Sequence, residues 1–598
     1  MKICRFFVSV FLFLASAVSM QAQWGGSVDA SGGIGMTKSL RGLGMTSEGK
    51  YLKHGYAGLG ANLQYKDSLF QWTSKLSAGC EPNKMDYVTA DILYGADGEI
   101  VHADGLIKLS QIVQTNADFL TNAVWSSRPG RSVSAWFQYS FLSSDGYNAN
   151  SRFDQTAATS AYGEDPDAFQ HVFGTGVRFS RQMDNPRHAL AGNLTYNHTI
   201  LDQSTVWLTI NLDGAETDWW ADLFKVTPHE VTDNLSGELH FKDSVLTGTT
   251  KLVLDPGIRL SGNRSIHENS GATAVGSLES IDDVTDWRDS TAIRERFDFG
   301  SLDIQPYLVV DLAGRKVRMH ADYAPMFYAR RLTDSTHRQG LKFQRPYVVG
   351  NGNVSWMMGQ GHELRFNNRM AVVHPSYLQV CWFDRTAGYL DRLYRGNPDL
   401  KSNVSRSYGL TYSFNYKRFN TSTAVSFSRS RNEIIQTWFE EEIDHRSYRV
   451  FTWINGAESR VFGVSQTIGW KGKVLTANAG FGYNHAHQSM KETDQYVEAN
   501  DWSLYGNVAA NLGKGWSLSA DMRYQSQVTR FLEMFDDYCI VNAKVKKQFK
   551  KLTLYLEGRH LADTPQITKV YSEDMTHYWT ERIYLNRRLV ILGLNWRF

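Results

Sequence analysis

The sequence predicts an all-β protein: a transmembrane antiparallel β-barrel of about 22 strands, with 20 strands as the alternative count. Three observations predict this class. They are an export signal at the amino terminus, apolar and polar residues that alternate with a period of two, and short turns that alternate with longer polar stretches. The 598 residues include 42% hydrophobic and 13% aromatic residues, with 49 glycines and only 12 prolines. This composition is typical of strand-rich chains and excludes disordered and collagen-like proteins.

Residues 1–22 are predicted to form a secretory signal peptide. A basic start with Lys2 and Arg5 precedes an apolar core, Phe6–Val18. That core is too short to span a bilayer as a helix, and no later stretch approaches ~18 apolar residues. We therefore expect an exported protein whose residues 23–598 form one barrel domain in the outer membrane of a Gram-negative bacterium.

The alternation of apolar and polar residues is clearest at the carboxyl terminus. Successive side chains of a strand point to opposite faces of the sheet. The residues between the apolar ones include Gly593, Asn595 and Arg597, so the second face is mostly polar. The apolar face is formed by Val590, Leu592, Leu594, Trp596 and Phe598.

Residues 502–512, 516–525 and 551–561 repeat this pattern. Each run has about ten residues, the length that a tilted strand needs to cross a bilayer. A soluble β-sandwich also alternates, with its apolar face inward, but ionisable residues on strand after strand favour a wet interior. These residues either line a polar path or brace whatever fills the barrel. The lumen-lining candidates are Asp521, Arg523, Lys544, Lys546, Glu557 and Arg559.

Ten short polar or glycine-rich breaks separate the alternating segments. Tight periplasmic turns and long extracellular loops are the pattern of outer-membrane barrels, and ten turns with both termini in the periplasm imply about 22 strands. The first hairpin is predicted at Trp24–Thr37 and Tyr56–Tyr65. The breaks lie near Lys66–Ser68, Ser127–Arg131, Met183–Pro186, Lys242–Ser244, Ala313–Lys316, Gly359–Gly361, Lys417–Arg418, Lys471–Lys473, Gly513–Gly515 and Lys550–Lys551.

Two carboxyl-terminal motifs carry a resemblance to a known family. The segment Gly396–Lys401, with the sequence Gly-Asn-Pro-Asp-Leu-Lys, resembles the G-N-P-x-L-K stretch that often precedes a barrel strand in TonB-dependent receptors and the outer-membrane β-barrel family allied to them. The final Asn595–Phe598 is similar to the signature by which the outer-membrane assembly machinery recognises barrels, with Trp596 and Phe598 as its assembly-signal residues. The resemblance implies a surface receptor or transporter that is partnered by outer-membrane lipid and by that machinery.

The amino terminus departs from this family. Its receptors place a globular plug ahead of the first strand, whereas alternation here begins almost at the predicted cleavage site, so we expect a barrel without a separate plug. A 22-strand barrel is roughly 40 Å across, too wide for wall side chains to fill. Inward-folded loops, another chain or a flattened cross-section would each narrow the lumen, and our hypothesis is that long loops of this chain do so. The candidate loops are residues 80–118, 203–235, 258–296, 374–405 and 562–586.

One loop carries a candidate ligand-contact site. Trp219 and Trp220 stand beside Asp218 and Asp222. Exposed aromatic rings next to carboxylates suit the stacking of a sugar or the capture of a peptide. The same residues also suit a loop that packs on itself or an aromatic girdle at the membrane interface.

Catalytic, metal and nucleic-acid sites are not expected. His485 and His487 share a strand face but lack an evident third ligand, so we predict neither metal nor cofactor. No catalytic motif stands in a supporting context, so we predict no enzyme. With 63 Lys and Arg against 61 Asp and Glu, the chain offers no broad basic face for nucleic acid.

The sequence therefore predicts a transport or receptor barrel that passes or captures a polar solute or macromolecule at the cell surface. The alternative is a non-transporting scaffold whose lumen or loops bind a partner protein or lipoprotein.

Overall fold

The computed structural model describes most of the chain after the predicted signal peptide, which itself lies outside the described residues. The described backbone comprises residues 24–38, 51–94, 100–128, 130–154, 157–211, 220–277, 288–333, 338–381, 384–386, 392–443, 446–490, 496–530, 533–562, 564, 566–571, 577–583 and 588–597. These residues form one sheet of 29 strands, of which 22 make up the wall of a closed barrel.

The strands follow one another along the chain with few interruptions. They are β1 (Trp24–Lys38), β2 (Tyr51–Lys66), β3 (Phe70–Tyr94), β4 (Ile100–Arg128), β5 (Arg131–Asp154), β6 (Ala157–Gln182), β7 (His188–Asn211), β8 (Trp220–Thr247), β9 (Thr250–Ser277), β10 (Arg288–Ala313), β11 (Val317–Thr333), β12 (Arg338–Phe343), β13 (Tyr347–Gly359), β14 (His362–Val373), β15 (Asp384–Thr386), β16 (Arg392–Arg395), β17 (Asn403–Tyr416), β18 (Phe419–Ile443), β19 (Arg446–Lys471), β20 (Leu475–Met490), β21 (Tyr496–Gly513), β22 (Trp516–Gln525), β23 (Val528–Arg530), β24 (Glu533–Phe535), β25 (Tyr538–Gln548), β26 (Leu552–Arg559), β27 (Gln566–Tyr571), β28 (His577–Ile583) and β29 (Arg588–Arg597).

The wall closes where the last strand meets the first. β29 pairs antiparallel with β1, from Ser27 opposite Arg597 to Met36 opposite Arg588. Each wall strand also pairs antiparallel with its neighbours along the chain. Because a closed sheet satisfies backbone hydrogen bonds between strands, the wall can stand in lipid, where water is not available to do so. The predicted barrel and its count of 22 strands are confirmed.

The two faces of the wall differ as the alternation predicts. In β29, Leu592 is 65% exposed, whereas its neighbour Ile591 is 2% exposed. Val590, Leu594 and Trp596 share the exposed face with Leu592. No second layer of described protein covers these apolar side chains, so this face is the one that contacts lipid.

Nine of the ten predicted turns agree with the structure, and one is wrong. Lys242–Ser244 continue β8, and the chain reverses at Gly248-Thr249, where Thr247 pairs with Thr250. Gly248 has φ 59°, a left-handed conformation that tight hairpins need and that glycine adopts without strain. The polar Lys-Asp-Ser triplet resembled a turn, but the glycine makes it. The predicted first hairpin is confirmed as β1 and β2.

Three predicted loops, 80–118, 203–235 and 258–296, are mostly strands. β3 and β4 have 25 and 29 residues and stay paired to their ends. A membrane crossing needs only about ten residues. The hydrogen bonds between strands join backbone groups, so polar stretches without alternation also pair. These hairpins therefore continue the barrel wall beyond the bilayer.

The predicted loop 562–586 also contributes to the wall within its described residues. β27 and β28 pair with each other, and β28 pairs with the distal part of β3. They therefore continue the sheet beyond the shorter strands β29, β1 and β2. The described residues of 374–402 are the exception, because there the chain leaves the wall. They include a single helical turn, Tyr377–Val380. In the described part of the chain, no helix is long and apolar enough to cross a membrane.

Candidate functional site

Three of the predicted lumen-lining residues form one ion-paired cluster. Lys544 Nζ donates to Glu557 Oε2 at 2.8 Å, and Arg559 Nε donates to Glu557 Oε1 at 2.5 Å. The Lys544 ammonium also lies 4.1 Å from the ring centroid of Tyr555. These side chains lie on the strand face opposite the exposed Leu556. The cluster joins β25 to β26, so it braces the wall.

The other three candidates are more open. Asp521 accepts a hydrogen bond from Asn542 Nδ2 at 2.8 Å. Asp521 and Arg523 are exposed, and Lys546 is half-buried. They lie opposite the outward Met522 and its neighbours, so the same register that turns apolar groups to lipid turns these charges away from it.

The predicted ligand-contact site around two tryptophans is described only in part. Asp218 and Trp219 lie outside the described residues. Trp220 and Asp222 belong to β8, where Asp222 pairs with Thr209, and their side chains are not described. The expectation that these two residues lie in a loop is therefore wrong, because the hairpin continues to Trp220.

The candidate metal ligands, His485 and His487, each lie next to one polar side chain of the neighbouring strand. His485 Nδ1 lies 3.0 Å from Asn500 Oδ1, and His487 Nδ1 lies 3.3 Å from Glu498 Oε1. Among the residues that the structure describes, no group of three or more His, Cys, Asp or Glu could hold a metal ion. Of the assembly-signal residues, Trp596 is exposed on the lipid face, and Phe598 lies outside the described residues.

The most unusual feature of the lumen is formed by the described residues between β14 and β17, 374–381, 384–386 and 392–402, which we call the inward segment. They connect β14 to β17 and carry Val380, Cys381 and Leu400, all at most 2% exposed. These side chains form one buried cluster with residues of β10 and β11. The wall contributes Phe297, Phe299 and Leu332.

This cluster lies on the lumen face of the wall. Phe297 and Phe299 alternate with Leu302 and Leu308, which are exposed on the lipid face. Leu332 has the opposite parity to the exposed Phe327 of β11. A segment that packs on these buried side chains therefore enters the barrel.

The segment reaches widely separated parts of the wall. The hydroxyl of Tyr377 donates to a carboxylate oxygen of Glu230 on β8. Arg395 donates to Glu441 Oε2 on β18 at 2.7 Å, and Asn397 Nδ2 donates to the carbonyl oxygen of Trp453 on β19 at 3.0 Å. Since β9–β11, β13, β14, β17 and β18 separate β8 from β19 in the wall, the segment forms a chord across one side of the lumen.

The Gly396–Lys401 motif forms the core of the inward segment. The Gly396 N–H donates to the carbonyl oxygen of Cys381 at 2.6 Å, and a Cβ at Gly396 would clash with the Cys381 backbone. The Asn397 N–H donates to the carbonyl oxygen of Gln379 at 2.6 Å. The motif thus holds the two arms of the segment against each other, and only glycine fits at the contact.

The same motif attaches the segment to the wall. Arg330 of β11 donates through Nη2 to the carbonyl oxygen of Pro398 at 2.5 Å. Asn455 of β19 donates through Nδ2 to the carbonyl oxygen of Lys401 at 2.9 Å. Leu400 fills the buried cluster between these two attachments.

A histidine stacks at the base of the segment. The ring of His374 lies parallel to that of Tyr328, with centroids 3.5 Å apart, and its Nδ1 lies 2.7 Å from Ser402 Oγ. Burial and the nearby Arg330 guanidinium lower the pKa of His374 to about 4. The imidazole is therefore neutral at neutral pH while the segment is docked.

Nearer the short turns, a second network spans four strands of the same side. The Arg259 guanidinium donates to both carboxylate oxygens of Asp322, at 3.2 and 2.9 Å, and through Nε to Glu238 at 3.0 Å. It also stacks 3.9 Å above the ring of Tyr307. The network ties β8, β9, β10 and β11 together below the inward segment.

Sequence reasoning found the 374–405 loop and its motif but missed the residues that receive it. Tyr328, Arg330 and Leu332 occupy the lumen face of β11, where a wet interior would favour uniformly polar side chains. Tyr328 and Leu332 are large, mainly apolar side chains on the lumen face, and the lipid face of β11 is apolar as well. A strand that is apolar on both faces indicates that another part of the protein packs against the wall from inside.

The fold and this lumen define a class of protein. A closed 22-strand wall with apolar residues outside and an ion-paired interior is an outer-membrane β-barrel, and the protein belongs in the outer membrane of a Gram-negative bacterium. Residues 351–596 match the sequence model described as the outer membrane protein beta-barrel family. The chain as a whole resembles the barrel domain of TonB-dependent receptors.

Solved structures support that resemblance in fold. The ferripyoverdine receptor of the Pseudomonas aeruginosa outer membrane, bound to ferripyoverdine, aligns with a TM-score of 0.59 and 11% identity over 97% of this chain and 72% of its own. The unliganded ferric citrate transporter FecA aligns with a TM-score of 0.57 and 10% identity over 96% and 78%. The copper transporter OprC aligns with a TM-score of 0.55 and 11% identity over 97% and 81%. A search of curated proteins gave no match.

Proposed function

We propose that this barrel passes or captures a polar solute or macromolecule at the cell surface and that the inward segment controls access to its lumen. One observation carries the proposal: the inward segment follows the long-loop end of β14, and its described residues contact the inner side of β8, β10, β11, β18 and β19. A barrel of this width needs a constriction, because wall side chains alone cannot fill it.

The way in which the segment is held suits a movable constriction. Its described apolar anchor is small, formed chiefly by Val380, Cys381 and Leu400. Its polar attachments include the hydrogen bond from Arg330 to the Pro398 carbonyl oxygen, the ion pair of Arg395 with Glu441, and a short parallel pairing of β16 with β19. A ligand that binds the undocked state better shifts the balance by its differential affinity for the two states.

Similar structures give the proposal a chemical direction. They include receptors for siderophores, a ferric citrate transporter and a copper transporter, and one of them is in complex with pyocin S2. A siderophore, ferric citrate, copper and pyocin S2 are thus all named with barrels of this shape. Asp521 and Arg523, which are exposed on the side that the segment leaves open, supply charge for a polar ligand.

The same open side favours the second candidate, a scaffold that holds a partner protein or lipoprotein. The contacts described above for the inward segment are with β8, β10, β11, β18 and β19, whereas the exposed Asp521 and Arg523 lie on β22, where a partner in the lumen would contact them. Extraction in mild detergent distinguishes the two functions. A stoichiometric companion supports the scaffold, whereas a lone protein that admits solutes supports passage.

Solute flux tests passage and the role of the segment together. Proteoliposomes would contain the wild-type protein, the Gly396→Ala variant or the Asp399→Asn control, and swelling would be followed with polar solutes of graded size. Gly396→Ala should admit larger solutes, because a Cβ there cannot coexist with the docked segment. Asp399 is exposed, so its substitution should leave the size limit unchanged. An unchanged limit in a fully assembled Gly396→Ala barrel would contradict control by the segment.

A further inference from the structure

The short-turn end of the barrel carries an arc of positive charge. The turns that follow β17, β19, β21 and β25 are adjacent in the wall and contain basic but no acidic residues. Their side chains are exposed. The arc comprises Lys417, Arg418, Lys471, Lys473, Lys514, Lys550 and Lys551. In a chain with nearly equal numbers of acidic and basic residues, such a cluster is a local feature and not a reflection of overall charge.

Aromatic side chains border this basic arc on the lipid face. Trp470, Trp516 and Phe549 are exposed there. The Lys547 ammonium lies 4.9 Å from the Trp516 ring centroid and 5.5 Å from that of Phe549. Aromatic girdles mark the level of lipid headgroups, so the lysines and arginine of the arc stand where lipid phosphates lie.

An apolar furrow of about 720 Å³ opens on the lipid face directly above the arc. Its sides include the exposed Ile468, Phe481, Val508 and Met522. Its floor is made of small residues on β20, β21 and β22. Ala479 pairs with Gly506 and Val508 pairs with Ala520, so missing side-chain volume on neighbouring strands creates the depression. The floor residues are Ala477, Ala479, Gly506 and Ala520.

The furrow and the arc meet at one residue. Trp470 lines the furrow, and the next residue, Lys471, ends β19 just before the turn that holds Lys473. Lys514 lies in the neighbouring β21–β22 turn. The apolar furrow thus ends at three exposed ammonium groups. This arrangement fits a ligand with a long apolar tail and an anionic head.

We propose that this site binds an anionic phospholipid, with one acyl chain in the furrow and its phosphate among Lys471, Lys473 and Lys514. The short-turn end faces the periplasm in outer-membrane barrels, so the lipid comes from the inner, phospholipid leaflet. Basic residues near an anionic lipid surface strengthen association by roughly fivefold each. The occupant is therefore a phospholipid such as phosphatidylglycerol, and lipid A from the outer leaflet is excluded by its position.

Native mass spectrometry of the detergent-purified barrel tests the headgroup contact. Phosphatidylglycerol, phosphatidylcholine and lipid A would be added separately and the retained lipids counted. The wild type should retain one phosphatidylglycerol in preference to the other two. Lys471→Gln with Lys473→Gln should weaken that retention by about tenfold or more. The matched control, Arg315→Gln with Lys316→Gln, removes two exposed charges from another short turn and should leave it unchanged.

A second variant tests the furrow separately from the charge. A Cβ on Gly506 meets only the Asn478 carbonyl oxygen, at 3.8 Å, so Gly506→Leu can be accommodated and its side chain fills the furrow. It should reduce retention of phosphatidylglycerol, whereas Ala510→Leu, farther along the same strand face, should not. Equal effects of the two charge pairs, equal effects of the two leucine variants, or stronger retention of lipid A would each overturn the proposal.

Discussion

Neighbouring residues on one strand of this barrel face different surroundings. Val508 is 45% exposed on the lipid face of β21. Asn507, the residue before it, accepts a hydrogen bond at 2.9 Å from Asn478 Nδ2 on the opposite face. Alternation along the sequence is sufficient to predict this difference, because it depends only on the period of the strand.

Arginine substitutions at these two positions test the facing. Val508→Arg places a charge near the middle of the lipid face and should destabilise the assembled barrel by about 2–4 kcal/mol. Asn507→Arg should cost much less, because its side chain meets the polar lumen. Urea unfolding in lipid vesicles measures both. Similar losses for the two variants would contradict the assigned faces.

The stacked His374 predicts a pH response of the inward segment. Docking holds the pKa of His374 at about 4 through burial and Arg330, whereas the undocked ring returns to about 6.5. The undocked state therefore binds more protons between these values. The contribution of the neutral His374 ring to docking is complete above pH 6.5 and is lost as the pH falls towards 4.

Thiol labelling of Cys381 reports this response. Cys381 is buried, so a variant with Cys4→Ser, Cys80→Ser and Cys539→Ser leaves one thiol that is protected while the segment is docked. Its maleimide labelling, normalised to denatured protein at the same pH, should accelerate from pH 7 to pH 5. In a His374→Phe background the acceleration should be lost. A rate that stays constant in the parent protein would refute the role of His374.

The contacts that a side chain makes were less predictable than the strand face on which it lies. The alternation placed Glu557, Lys544 and Arg559 on one face, but their ion pairs depend on the register of β25 against β26. The partners of His374, which come from β11 and from the end of the inward segment, depend on tertiary packing. A single sequence does not contain those distances.

At the scale of elements, short turns were predicted well and long connections poorly. Turn residues act locally, as Gly248 shows, since its left-handed backbone makes the β8–β9 turn that a polar triplet only resembled. Long hairpins such as β3 and β4 depend on backbone ladders that polar sequences also form. The motif at Gly396 was recognised by resemblance, but its role in folding the segment into the lumen follows from its contact with Cys381.

At the scale of the whole molecule, the number of strands followed from the number of short turns. Ten short turns join 20 strands in pairs, and the first and last strands, whose outer ends are the chain termini, bring the count to 22. Closure itself takes place between β1 and β29. Gly33 lies at this seam, where an added Cβ would come within 2.5 Å of the Val590 carbonyl oxygen. The close approach requires glycine at this position.

Gly33→Val should therefore lower the fraction of protein that assembles into a closed barrel. The matched control is Gly25→Val on the same strand, since a Cβ at Gly25 meets no atom within 4 Å. Heat-dependent mobility on gels distinguishes folded from unfolded barrels after expression. Equal yields of folded barrel from the two variants would show that the seam tolerates the extra volume.

Single-channel conductance measures most directly whether residues 374–402 narrow the lumen. The comparison is between the wild-type barrel and a variant in which residues 375–401 are replaced by a short Gly-Ser linker, both checked for folded mobility. With the segment inside the barrel, its removal should raise the conductance several-fold and relax the size limit for polar solutes. Equal conductance of the two proteins would show that the segment does not obstruct the lumen and would contradict its proposed role.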